Sequence, residues 1–351
     1  MTREREYGID LMKIVAMIFI VVDHILLWGG WGLCSEHGGV KGNVLAWLDA
    51  VTLCHVNCFV LASGWVMCRL EFKFSRIVKL WLEVFGYSLV FLLIATCFFS
   101  SIEPSAKDWI KNLLPIAYDQ YWFFTQYVGL FFLMPVLNVA IRQLDKKLML
   151  GILIACAFLF SIHPFVFKTD LFHVNRGYSL LWFVYLYLIA GSCCKYGWLG
   201  KIPLWLAISA SFFGGGANLI SLHLRSLAVP LVEGGFPQHI FRAYNNPLIL
   251  VYSVFALALF TRIKIENAFL GKWIAIIGPS VFSVYVIHSN PLFRVMTNWN
   301  ENWTAFLDGH SVAVDFAVAV VVALLLFCTC ISVDVARKKG VALLLRRGLK
   351  S

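Results

Sequence analysis

The sequence predicts an all-α, polytopic membrane protein: a helix bundle with about ten transmembrane helices and both termini in the cytoplasm. Three observations carry this prediction. Apolar residues fill 60% of the 351 positions and charged residues 14%, a balance far from that of soluble domains. Apolar runs about as long as a bilayer is thick recur along the whole chain. Lys and Arg gather on alternate connections between those runs, as the positive-inside rule requires.

The runs fall at residues 9–31, 45–68, 80–100, 121–140, 147–165, 178–194, 203–221, 246–261, 273–293 and 312–332. An even number of crossings returns both ends to one side. With that side inside, the inner segments hold twenty Lys and Arg and the outer loops eight; Lys13, within the first run, completes the 29. The net charge of +10 is then a consequence of topology and calls for no nucleic-acid partner. The first run is read as uncleaved, because it lacks a small-residue exit site and carries Asp10 and Lys13.

The ten cysteines are scattered through the runs and read as small apolar fillers, with Cys34 alone facing outward. Connections are short, the longest spanning residues 222–245, so the chain is read as a single domain, 1–351. It ends in an amphipathic, basic cytoplasmic tail, 334–351, expected along the anionic inner leaflet. Gly214, Gly215 and Gly216 in the seventh run read as close helix packing, since a phosphate loop needs a following Lys and Ser or Thr.

The first run holds the sharpest conflict with its surroundings. Asp10, Lys13, Asp23 and His24 lie inside it, where ionisable groups are costly and mark function by default. Lys13 and His24 are eleven positions apart, which brings them within roughly 20° of one helix face, about 16 Å apart along the axis. Asp10 and Lys13, three apart, can pair. Elsewhere, Arg76 and Lys79 share a helical face beside Arg69 and Lys73, and His288 closes the ninth run. Asn57 reads as cavity hydrogen bonding or helix-helix glue, and Trp122 as membrane anchor or ligand platform. Cys54, His55 and Cys58 offer diverging directions and no fourth ligand, so no metal site is read there. Ser63 and Gly64 lack the frame of a nucleophile elbow and read as packing.

Five stretches occur together in order: Asp10, Leu11, Lys13, Ala16, Asp23 and His24; Asn57 through Gly64; Arg76 to Lys79; Tyr121, Trp122 and Phe123; and Phe282 through His288. In this combination the chain resembles the membrane acyltransferase-3 family, whose first helix carries an Arg followed after ten residues by a His. Lys13 stands where the family has Arg, offering a point charge in place of a planar fork.

The resemblance implies an O-acyltransferase that moves an acyl group, expected to be acetyl, from cytoplasmic acyl-CoA to a hydroxyl of a glycan or other envelope acceptor. The setting it implies is a multi-pass protein of the cell membrane, the bacterial inner membrane being expected, with acyl-CoA as co-substrate and no tightly bound cofactor. Its partners are then the lipid bilayer, acyl-CoA and the acceptor. His24 is the expected general base, with Asp23 to orient it, although adjacent helix residues diverge by about 100°. Lys13, Asp10, Arg76 and Lys79 are expected at the phosphate-bearing donor, and Asn57, Trp122 and His288 at the acceptor or cavity. The competing class is a transporter or flippase of a small solute or lipid-linked glycan, in which the same buried charges relay protons.

Overall fold

The computed structural model describes residues 5–28, 39–99, 101–102, 104–228, 242–299 and 310–348. Every regular element among them is helical. In chain order they are α1 (Tyr7–Trp28), α2 (Gly39–Thr52), α3 (His55–Met67), α4 (Ser75–Phe98), α5 (Ala106–Leu113), α6 (Trp122–Gln143), α7 (Lys146–Ala157), α8 (His163–Phe167), α9 (Leu180–Tyr196), α10 (Leu204–Ala228), α11 (Pro247–Phe260), α12 (Ala268–Ile277), α13 (Val281–His288), α14 (Pro291–Met296) and α15 (Val312–Gly348). Cys34 and residues 229–241 of the long connection lie outside the described residues.

Among the described residues, seven helical stretches are long and apolar enough to cross a membrane, and shorter apolar helices occupy Leu180–Tyr196, Leu204–Gly216 and Pro247–Phe260. The shorter three coincide with the sixth, seventh and eighth apolar runs of the sequence. The ninth run is interrupted where Gly278–Ser280 tightens into a 3-10 turn between α12 and α13. The protein is a multi-pass, all-helical membrane protein.

Local sequence explains where the helices start. Asp145 accepts from the backbone N–H groups of Lys147 and Leu148 to open α7, and Ser179 accepts from Trp182 N–H to open α9. Asn246 followed by Pro247 opens α11, and Asn290 followed by Pro291 opens α14. On the short polar helix α5, Ser105 and Asp108 form a reciprocal capping box. The Ser105 hydrogen bonds hold the Asp108 carboxyl below its usual range.

The chain packs as two compact units, each discontinuous in sequence. One comprises residues 1–33, 79–121 and 264–351. Here α1 lies against α12, α13 and α15, and α13 against α15. Helix α15 runs unbroken through residue 334 into the basic segment that follows it. On it Asp334, 0% exposed, accepts from Tyr87 Oη at 3.0 Å and pairs with Arg337 and Lys338 at 2.6 Å each. Lys338 also donates to the Pro279 carbonyl, and Arg337 reaches Glu83, which accepts the Ser283 hydroxyl. Buried carboxylates need compensating cations, and Arg337 and Lys338, both partly exposed, supply them here.

The other unit comprises residues 34–78 and 122–263. Its centre is α3, packed on α9 and α11, with α6 on α9 and α10 on α2 and α11. Gly64 permits the α3–α9 approach, because a Cβ there would lie 3.0 Å from the Tyr187 carbonyl oxygen. Gly214 and Gly215 do the same against Tyr252 and the Val51 backbone. Gly214 and Gly215 therefore serve close packing, while Gly216 has ordinary space around it.

Candidate active site

Helix α1 is continuous from Tyr7 to Trp28, so it carries Asp10, Lys13, Asp23 and His24 on one rigid rod. At its N-terminal end Asp10 is held by two cations. Arg5 Nε donates to Asp10 Oδ2 at 2.6 Å, while Lys13 Nζ stands 3.8 Å from Oδ1. Arg5 also donates to the Ala275 carbonyl, tying this cluster to the end of α12. Arg5 is therefore the closer partner of Asp10, which the sequence pairing of Asp10 with Lys13 missed. Lys13 is left with an ammonium only loosely engaged by Asp10.

At the other end of α1, His24 Nδ1 lies 2.9 Å from His288 Nε2, across 264 positions of chain. His288 is 1% exposed, and its Nδ1 lies 2.6 Å from the Val284 carbonyl oxygen one turn earlier in α13. This chain has one solution when both rings are neutral. A carbonyl only accepts, so His288 Nδ1 carries the hydrogen and Nε2 is an acceptor. His24 Nδ1–H must then donate, and His24 Nε2 keeps its lone pair. Asp23 is buried on the same helix, 3% exposed. The bond that orients the His24 ring among those described runs to His288.

Two further residues complete this end. Trp28, one turn beyond His24, stacks on its ring with centroids 3.9 Å apart and planes at 27°. The Arg294 guanidinium lies 4.4 Å from the centroid of the same indole. Trp28 was legible in principle as the i+4 neighbour of His24, whereas no spacing rule points to Arg294.

The second unit gathers another set. Asn57, 0% exposed, donates from Nδ2 to the Tyr244 carbonyl at 2.8 Å, and its Oδ1 accepts from Trp182 Nε1 at 3.0 Å. Both ends of the amide are thus used in joining α3, α9 and the segment before α11. Trp122 lies against Tyr178 (centroids 4.5 Å apart) and is nearly parallel to Tyr244 at 6.0 Å. Asn57 acts as brace for this aromatic group. His55 packs edge-on to Tyr244.

Arg76 and Lys79 begin α4. Arg76 Nη1 donates to the Glu71 carbonyl at 2.6 Å, fastening the preceding turn, and the Lys79 side chain is exposed.

The first unit supplies a histidine whose neutral tautomer carries the lone pair on Nε2 and a cationic cluster at the opposite end of the same helix; the second unit holds an aromatic group of its own. No curated protein and no solved structure matches the chain. A family model described as an acyltransferase domain matches residues 6–333, nearly the whole chain and all five motif stretches. The chain belongs to the acyltransferase-3 family and is a membrane acyltransferase.

Proposed function

We propose that the protein transfers an acetyl group from cytoplasmic acyl-CoA to a hydroxyl of a carbohydrate or other cell-envelope acceptor, with His24 as general base. The observation that carries this reading is the His24–His288–Val284 hydrogen-bond chain, which leaves His24 Nε2 as a lone pair held in one orientation. In the proposed step Nε2 takes the acceptor's hydroxyl proton while the oxygen attacks the thioester carbonyl carbon. The new C–O bond replaces the C–S bond, and the departing CoA sulfur receives the proton back from the imidazolium. The test uses purified protein in nanodiscs with labelled acetyl-CoA and a panel of glycosides. Label appearing in an alkali-labile ester on the glycoside supports the reading; vesicle accumulation of solute without acyl-CoA turnover overturns it.

The donor's phosphates are assigned to the cations Lys13, Arg76 and Lys79 on charge and on the sidedness of the sequence. Neutralising Arg76 or Lys79 is expected to raise the KM for acyl-CoA several-fold, with less effect at high salt, since phosphate contacts are charge-assisted and screened. Lys13→Met is expected to cost more. Because Arg5 keeps Asp10 paired in that variant, the loss reports on the donor and not on an orphaned carboxylate. Lys13→Arg restores the family residue and is expected to keep or raise affinity. Binding of a CoA thioether analogue to the four variants provides the measurement. Affinities equal to the wild type throughout would remove the donor assignment.

The same reading places ten crossings in the cell membrane with both termini and the Arg69–Lys79 connection in the cytoplasm, supported by the twenty-to-eight division of Lys and Arg. In a cysteine-free background, Lys350→Cys is expected to resist an impermeant thiol reagent added to intact cells and to react after permeabilisation. Reaction in intact cells would reverse the orientation.

A further inference from the structure

Among the described residues, Arg294 is a cation held in place with no anionic partner. Its side chain is half-buried, and its Nε is buried with no hydrogen-bond partner. Burial lowers the proton affinity of the guanidinium from the ordinary arginine value, so the charged form is kept there at a cost that a bound anion would offset. The helix that carries it is firmly seated. Asn290, 0% exposed, caps α14 with Oδ1 and donates from Nδ2 to Tyr121 Oη at 2.8 Å.

The position of this cation matters more than its isolation. The indole of Trp28 contacts the His24 ring at 3.9 Å and the guanidinium at 4.4 Å, so a single ring links the proposed base to a cation with no anionic partner among the described residues. A guanidinium held by cation–π contact is still able to present N–H donors along its edge, the geometry that grips an oxyanion bidentately. From these observations we infer that Arg294 anchors an anionic group of the acceptor, a carboxylate or a phosphate, so that the acceptor is an acidic molecule whose reacting hydroxyl lies about one sugar ring from its charge. This deepens the acyl-transfer reading and rests on it for the location of the hydroxyl; the anion site itself does not depend on His24 being the base. The plain alternative is a bracing role, in which Arg294 only holds Trp28 against His24.

The test is equilibrium binding to the full-length protein in nanodiscs of net-neutral lipid, with three probes that share a tail and sugar scaffold: octyl glucuronide, octyl glucose 6-phosphate and octyl glucoside. The wild type is expected to bind one of the two acidic probes about tenfold tighter than the neutral one, the size of a charge-assisted hydrogen-bonded contact. Whichever is preferred identifies carboxylate or phosphate. Arg294→Met is expected to reduce the preference to within about twofold, and Arg294→Lys, which keeps charge but loses the fork, to leave an intermediate value. The preference is expected to survive in His24→Ala. Acid preference without acyl transfer to any probe would therefore uphold the anion site while counting against the acyl-transfer reading. If Arg294→Met does not fold, Arg294→Lys decides alone: a preference cut about threefold or more supports the site, and an unchanged one overturns it. No acidic preference in the wild type, a preference that persists in Arg294→Met, or an equal loss for all three probes would each overturn the proposal, the last in favour of the brace.

Discussion

Replacing His24 with Ala is expected to lower acyl transfer by about a hundredfold or more while leaving membrane insertion and the melting temperature nearly unchanged. The separation of the two effects follows from the site. Nδ1 of His24 is engaged by His288 and its ring face by Trp28, and the neutral tautomer this sets makes Nε2 the basic nitrogen. Loss of that nitrogen removes a group needed in the transition state. The structural cost is small, because His288 keeps its Val284 bond and has the Ser289 hydroxyl 3.5 Å from the vacated Nε2. One lost hydrogen bond is worth about 1 kcal/mol. The measurement is turnover of labelled acetyl-CoA alongside thermal unfolding in detergent. A loss of twofold or less would remove His24 from the role of base.

His288→Leu is the second large effect, expected on the order of a hundredfold in kcat with the KM for acyl-CoA nearly unchanged. His288 is a positioning residue: it acts on His24 by accepting the Nδ1 hydrogen. Without that acceptor the His24 ring is free to rotate and to take the other tautomer, which carries a proton where the base needs a lone pair. His288→Gln supplies a carbonyl oxygen in place of Nε2 and is expected to recover activity to within about tenfold of the wild type. A purely structural histidine gives another pattern. Both variants would then lose activity in step with melting temperature, and that result, or a Leu variant within about twofold of wild-type kcat, would sink the positioning role.

Much of the fold was legible because the bilayer restricts the choices. Backbone polar groups have no water to bind in hydrocarbon, so long apolar runs must be helical, and seven of the expected runs coincide with helical stretches long and apolar enough to span. Asp10, Lys13 and His24 were legible for a related reason: an ionisable side chain in such a run stands out against its cost. Contacts that depend on approach between distant helices were not. His24 and His288 each drew notice alone, but no spacing rule pairs residues 264 positions apart, and Arg294 reads as one more basic residue in a loop. Asn57 stood out by polarity, but only its two partners, Trp182 and the Tyr244 carbonyl, show that the amide is consumed in bracing. The pairing of Arg337 and Lys338 with Asp334 was not legible, because the burial of that carboxylate gives no signal in the sequence.

By itself, then, the sequence determined the helical membrane class, the family motifs and the helix that carries the proposed base, because each depends on periodicity and local composition. Tertiary structure alone decided which nitrogen of a neutral His24 carries the lone pair, that Arg5 and not Lys13 is the close partner of Asp10, and that Arg294 stands beside Trp28 with no carboxylate partner among the described residues. Those outcomes turn on hydrogen-bond and charge geometry within a few ångströms, between groups as far as 264 positions apart, and such proximity exists only once the helices have packed.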